Sequence, residues 1–177
     1  MEPPRSLMRV SAVKGTSDVE ASVSADRFRD LHAQRDRLYR AVALVVGDVG
    51  LAADAIDEAM ARAYARWDRI EDYSSPEGWV YRVALNWARS ALRRRRREDL
   101  WDRPPEPSVV DLPPDVELRA AVGRLPGKFR SVVVARYYLD WSTADTATAL
   151  GIPDGTVKTR LKRALVRLAK DLEGTEE

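Results

Sequence analysis

Residues 141–172 read WSTADTATALGIPDGTVKTRLKRALVRLAKDL, and the fold turns on this stretch. A short alanine-rich segment, a Gly-Ile-Pro break and a longer basic segment spell two helices joined by a tight turn. Ser142 offers a hydroxyl to the first free backbone N–H groups, and Asp145, three residues on, can answer to the cap's own N–H. Ala144, Ala147 and Leu150 give this first helix a small apolar face. Gly151 stands where a helix ends and the chain needs φ > 0, and Pro153 suits the first turn of the next helix, where its missing N–H leaves nothing unpaired. In the second helix Val157, Leu161, Leu165 and Leu168 recur at spacings of four, four and three, a stripe predicted to face a core.

The other side of that helix is basic. From Thr156 to Lys170 there are six lysines and arginines and no acid. Thr156, Lys158, Thr159, Lys162 and Arg163 lie off the apolar stripe near the helix start, where lysine and arginine neutralise phosphates and arginine and threonine also reach base edges. A basic face alone would suit any solvated helix. Joined to the cap, the turn and the short-then-long order, it predicts a DNA-reading helix-turn-helix.

The whole chain has 177 residues and a formal net charge of +2, so its overall charge says little about partners. Distribution says more: residues 26–97 carry 15 arginines against 11 acids, residues 98–117 one arginine against 7 acids, and residues 118–173 11 basic residues against 5 acids. A basic, acidic, basic layout suggests two nucleic-acid-facing modules joined by an acidic connector. With no cysteine and a single histidine, His32, disulfides and thiolate or imidazole metal clusters are excluded, and no metal or cofactor is expected. No run approaches the ~18 apolar residues of a membrane span, and the N-terminus lacks a secretory apolar core. A cytoplasmic protein without a membrane span is expected.

Residues 1–24 are polar and aperiodic and read as a disordered leader, with Met8 as an alternative start. Asp26 opens a predicted helix whose Phe28, Leu31, Leu38, Val42 and Val45 form a stripe ending near Gly47. A second helix from Asp48 carries Ile56, Met60, Ala63 and Trp67 on one side. Pro76 opens a third, running to Arg97, with Val80, Val83, Ala84, Trp87 and Ala91 towards the core. Three amphipathic helices with short loops make a small all-α domain over residues 25–97. Residues 98–117 hold five prolines and form an extended acidic linker. Helices over Val116–Val122 and Pro126–Tyr138 then join the helix-turn-helix in a four-helix domain spanning 118–173.

Two further constellations carry chemistry. On the second helix Asp54, Asp57 and Glu58 gather near one face, with Arg62 spaced to pair with Glu58. Lacking supporting histidines, they suit an acidic docking face better than metal-dependent catalysis, and no catalytic residue is assigned. On the third helix Arg82, Asn86, Arg89 and Arg93 recur at four, three and four and run into five consecutive arginines, Arg93 to Arg97. Tyr73, Trp79, Tyr81 and Trp87 lie nearby. Arginines for phosphate, asparagine for base edges and rings for stacking are the ingredients of a melted-duplex site.

The phrases Leu125-Pro126 with Val132-Val133-Val134-Ala135-Arg136-Tyr137-Tyr138, then Leu150 to Leu161, and upstream Gly78 to Asn86 resemble RNA polymerase sigma factors of the extracytoplasmic-function type, within the sigma-70 superfamily. The likeness covers roughly residues 26–172. It implies a promoter-melting domain, region two, over 25–97, and region four over 118–173. It implies that Asp54, Asp57 and Glu58 dock on core RNA polymerase. Tyr73, Ser74, Ser75, Asn86, Arg89 and Arg93 would engage the minus-10 element of promoter DNA, and Thr156, Lys158, Thr159, Lys162 and Arg163 would read the minus-35 element. It leaves room for an inhibitory anti-sigma protein as a third partner. Where the family's docking helix usually reads Glu-Asp-Leu-Val-Gln-Glu, this chain has Ala53-Asp54-Ala55-Ile56-Asp57-Glu58. The expected function is that of a non-enzymatic subunit directing polymerase to promoters. The rivals are a helix-turn-helix repressor or activator acting without polymerase and, more distantly, a nucleic-acid enzyme using the carboxylates of the second helix.

Overall fold

The computed structural model describes residues 9–97 and 116–173, and every element among them is helical. The elements are α1 (Arg9–Ala33), α2 (Arg35–Val46), α3 (Val49–Tyr64), α4 (Trp67–Ile70) and α5 (Pro76–Arg97), then α6 (Val116–Arg124), α7 (Gly127–Val133), α8 (Thr143–Leu150) and α9 (Asp154–Glu173). The expected linker lies outside the described residues up to 115, as do residues 1–8 of the expected leader.

The single helix predicted from Asp26 to Gly47 is two. It breaks at Gln34, and its first part starts far earlier, at Arg9, inside the stretch expected to be a leader. What fixes α1 is an aromatic anchor: Phe28 meets Tyr64 and Trp67 edge-on at 5.3 and 5.1 Å, and Trp67 Nε1–H donates to the Ser24 carbonyl at 3.0 Å. Trp67 is thus not the last residue of the preceding helix but the first of the short α4. α2 ends at Gly47, left-handed at φ 76°, and Asp48 caps α3 by accepting the Leu51 N–H at 2.8 Å. Helices α2, α3 and α5 bury Leu38, Val42, Leu51, Ile56, Val80 and Leu85 against one another. On α5, Tyr81, Leu85 and Ala88 join the core with Val80, Ala84 and Ala91, while Val83 and Trp87 are only half-buried.

Downstream, the predicted helix from Pro126 keeps its α register only to Val133. Val134–Tyr138 continue as a π-helical turn, with the Leu139 N–H donating to the Val134 carbonyl at 3.0 Å. Such a wide turn inserts a residue and is a common device at functional positions. Here it turns Tyr137 out to solvent and sends Val134, Ala135 and Leu139 into the core of the upstream module. The upstream core therefore extends into the π turn that follows α7, while Leu125, Phe129, Ala164 and Leu168, and Val132, Ala147 and Val157, form two further clusters within the downstream module. In α9 the buried face is Val157, half-buried Leu161, Ala164 and Leu168; Leu165, assigned to the stripe from its spacing, is exposed, because Ala164 lets the helix lie closer to Phe129 and Ala121. On α8, Ala147 and Ala149 are buried while Ala144 is exposed, since this helix is covered on both sides, by α9 and by α5.

Candidate nucleic-acid interface

The helix-turn-helix is built as its caps require. The Asp145 N–H donates to Ser142 Oγ at 3.0 Å and the Ser142 N–H to Asp145 Oδ2 at 3.3 Å, a full capping box. Gly151 follows α8 at φ 65°, and the Ile152 N–H bonds back to the Ala147 carbonyl at 3.0 Å. With Val157 fully buried, the next residues of α9 are turned outwards: Lys158, Thr159, Lys162 and Arg163 are exposed, and Thr156 is half-buried. Thr159 Oγ1 donates to the Gly155 carbonyl at 2.8 Å, which leaves its oxygen lone pairs and methyl facing solvent.

The α5 surface is assembled differently. Ser75 is the cap of this helix: the Gly78 N–H donates to Ser75 Oγ at 3.0 Å, and that hydroxyl donates to Glu77 at 2.9 Å. Ser75 therefore shapes the 73–75 loop, while Tyr73 and Ser74 are its exposed members. Tyr73 borders a cleft of about 480 Å³ whose walls include Arg27, Asp30, Arg37, Trp67 and Trp141. Along the helix Asn86 and Arg93 are exposed and Arg89 is half-buried. Burial, with the like charges of Arg160 and Arg93, lowers the Arg89 pKa, although the nearby Tyr81 opposes this. With no acidic partner among the described residues, this guanidinium is suited to a phosphate. In the arginine run Arg93 donates to Ser90 Oγ at 2.8 Å, and Arg95 pairs with Asp48 at 3.1 Å.

Tyr81 does not belong to the nucleic-acid surface suggested by its neighbours. Its ring is fully buried and meets Trp141 edge-on at 5.3 Å, and burial pushes its phenol pKa well up. No local pattern around Tyr81 signals this contact, because its partner Trp141 comes from the other module.

On α3, Asp54 and Asp57 are exposed and Glu58 half-buried on one face, as their spacing predicts. Glu58 pairs with Arg62 at 2.7 Å, as expected, and Asp57 with Arg35, whose pKa is raised chiefly by that hydrogen bond. Exposed ion pairs of this kind contribute about 0–1 kcal/mol and exchange readily for a partner's charges. Among the described residues, no group of three or more carboxylates or imidazoles is gathered to hold a metal ion, and no helix is long and apolar enough to cross a membrane.

Comparison with known proteins matches both modules. The family described as Sigma-70 region 2 matches residues 31–98, and Sigma-70, region 4 matches residues 115–168. The chain is 36% identical to the RNA polymerase sigma-E factor of Streptomyces avermitilis over 82% of this chain and 84% of that protein. It is 30% identical to the ECF RNA polymerase sigma factor SigL of Mycobacterium tuberculosis over 93% and 97%. The sigma factor RpoE of Bartonella quintana, solved with the anti-sigma factor NepR, shares the fold at a TM-score of 0.69 and 24% identity, over 82% of this chain and 95% of that one. The chain belongs to the sigma-70 family of RNA polymerase sigma factors, in its extracytoplasmic-function branch.

Proposed function

We propose that the chain is a non-enzymatic promoter-specificity subunit of the cell interior, with its contacts divided among three surfaces. Residues 25–97 form the module that meets core RNA polymerase through Asp54, Asp57 and Glu58. The same module meets the minus-10 element through Tyr73, Ser74, Asn86, Arg89 and Arg93, with Ser75 holding the loop in shape. Residues 118–173 form the module whose Thr156, Lys158, Thr159, Lys162 and Arg163 read the minus-35 element. Residues 98–117 connect them, their acidity favouring a basic channel of the polymerase over DNA. An anti-sigma protein is a candidate inhibitor.

The observation that carries this reading is the pairing of two separate basic faces, on α5 and α9, with an acidic face on α3 in one small chain. A repressor needs only the α9 face. In vitro transcription with core polymerase is the test: promoter-dependent initiation is expected only when this chain is added. Tight duplex binding by the chain alone, with no association with core polymerase, would favour the repressor or activator reading instead.

A further inference from the structure

Leu165 fits the buried stripe of α9 by its spacing, yet it stands exposed. It has company. The large apolar side chains left exposed among the described residues include Leu118 of α6, Tyr137 of the π turn and Leu165, and all three border one groove of about 470 Å³. Leu44 of α2, Val122 of α6, Val133 at the end of α7 and Leu168 of α9 complete its apolar wall. Single exposed apolar residues are ordinary on a protein surface, whereas a contiguous group of them marks a place where something binds.

Two features of the fold leave this groove open. Ala164 draws α9 close to Phe129 and Ala121, which puts Leu165 at the edge of the packed face and not within it. The wide turn over Val134–Tyr138 ends the regular part of the preceding helix and carries Tyr137 outwards, so the wall facing α9 is not closed. A volume of this size lies within the ~300–1,000 Å³ of pockets that hold small ligands, which are mostly apolar with a few polar groups to fix orientation.

The polar groups here are few and of definite kind. Arg119 of α6 is the charged residue of the lining, is half-buried and has no acidic partner among the described residues. Its guanidinium can offer two parallel N–H donors to a carboxylate. An alkyl chain ending in a carboxylate therefore matches both parts of the groove. An extended peptide matches it less well, because backbone N–H and C=O groups need partners that a wall of Leu and Val side chains does not supply.

We propose that the groove between α2, α6, the π turn and α9 binds an unbranched fatty acid, its alkyl chain along Leu44, Val122, Leu165 and Leu168 and its carboxylate on Arg119. The inference goes beyond promoter binding and does not depend on it. Leu165 and Leu168 belong to the same helix as Thr156 to Arg163, so occupancy braces that helix from its other side.

The test is calorimetric titration of the full chain with octanoate, decanoate and dodecanoate, each kept below its micelle concentration. Saturable one-to-one binding is expected, tightening by up to about fourfold for each added methylene. Dodecanoate should also raise the midpoint of thermal unfolding, since it binds the folded chain. Arg119→Gln, a change on an accessible helix face, should weaken dodecanoate by about tenfold or more while leaving dodecanol binding unchanged. Leu165→Glu, at a position already exposed to solvent, should abolish dodecanoate binding by placing a like charge in the groove; far-UV circular dichroism checks that both variants keep their helices.

Unchanged dodecanoate affinity in Arg119→Gln would overturn the assignment of the carboxylate and with it the proposal. No binding by the wild-type chain would overturn it in favour of a protein cover for the groove, either residues 98–115 or a partner helix. Uptake at many sites, or without saturation, would show detergent-like adsorption and overturn it equally.

Discussion

Helices α5 and α9 are both basic on one side and apolar on the other, yet the fold leaves them in different conditions. On α9 the residues assigned to DNA project from a helix whose opposite face is buried, and nothing from the upstream module crosses Lys158, Thr159, Lys162 or Arg163 among the described contacts. On α5, Arg82 lies against Gly151, Arg89 is half-buried beside Arg160, Ser75 is committed as a cap and Arg95 is tied to Asp48. The difference teaches that a basic stripe defines what a helix offers, whereas its neighbours define how much of that stripe is left free.

The largest effect that would sharpen this comparison is expected at Tyr81. Replacing this fully buried ring by alanine should cost about 3–5 kcal/mol of stability in urea unfolding. A loss below ~1 kcal/mol would mean that the seam covering α5 contributes little. Next comes the exposed helix: Arg163→Ala should reduce discrimination among upstream-element variants by about 1–3 kcal/mol if its contact is to a base, and an unchanged promoter preference would remove it from the reading face. The two caps offer a matched pair. Ser142→Ala and Ser75→Ala should each cost about 0.5–2 kcal/mol in thermal or urea unfolding, but only Ser75→Ala should also alter minus-10 selectivity, through the 73–75 loop. The smallest effect is in the arginine run. Arg94→Ala should flatten the salt dependence of duplex binding by about 0.9 in the log–log slope, and Arg95→Ala by less, since that guanidinium is engaged with Asp48; equal changes would show that the pair with Asp48 gives way to DNA.

Much of this was legible in the residues. The capping box of Ser142 and Asp145, the left-handed Gly151, the start of α5 at Pro76 and the Glu58–Arg62 pair all follow from interactions within about one helical turn, where side-chain spacing sets geometry. Outcomes that depended on distant partners were not. The spacing of Leu165 fits the α9 stripe as well as that of Ala164 does, and only the close approach of the neighbouring helices favours the smaller residue. Tyr81 sits among arginines and tryptophans and looked like a stacking ring until Trp141 covered it. Nothing near Arg37 or Arg130 announces a role across the seam, because the carbonyls they reach on the other module lie 102 and 85 residues away.

By itself, then, the sequence determined the all-helical class, the helix-turn-helix with its outward basic face, and the charged faces that we propose meet DNA and polymerase. Those properties are local, written in period, cap and composition. The tertiary structure alone decided the π turn after Val133, the extension of the upstream core into that turn and the covering of α5 by α8. These depend on which buried surfaces and unpaired helix-end carbonyls meet across the seam, a choice made by long-range packing that no local pattern encodes.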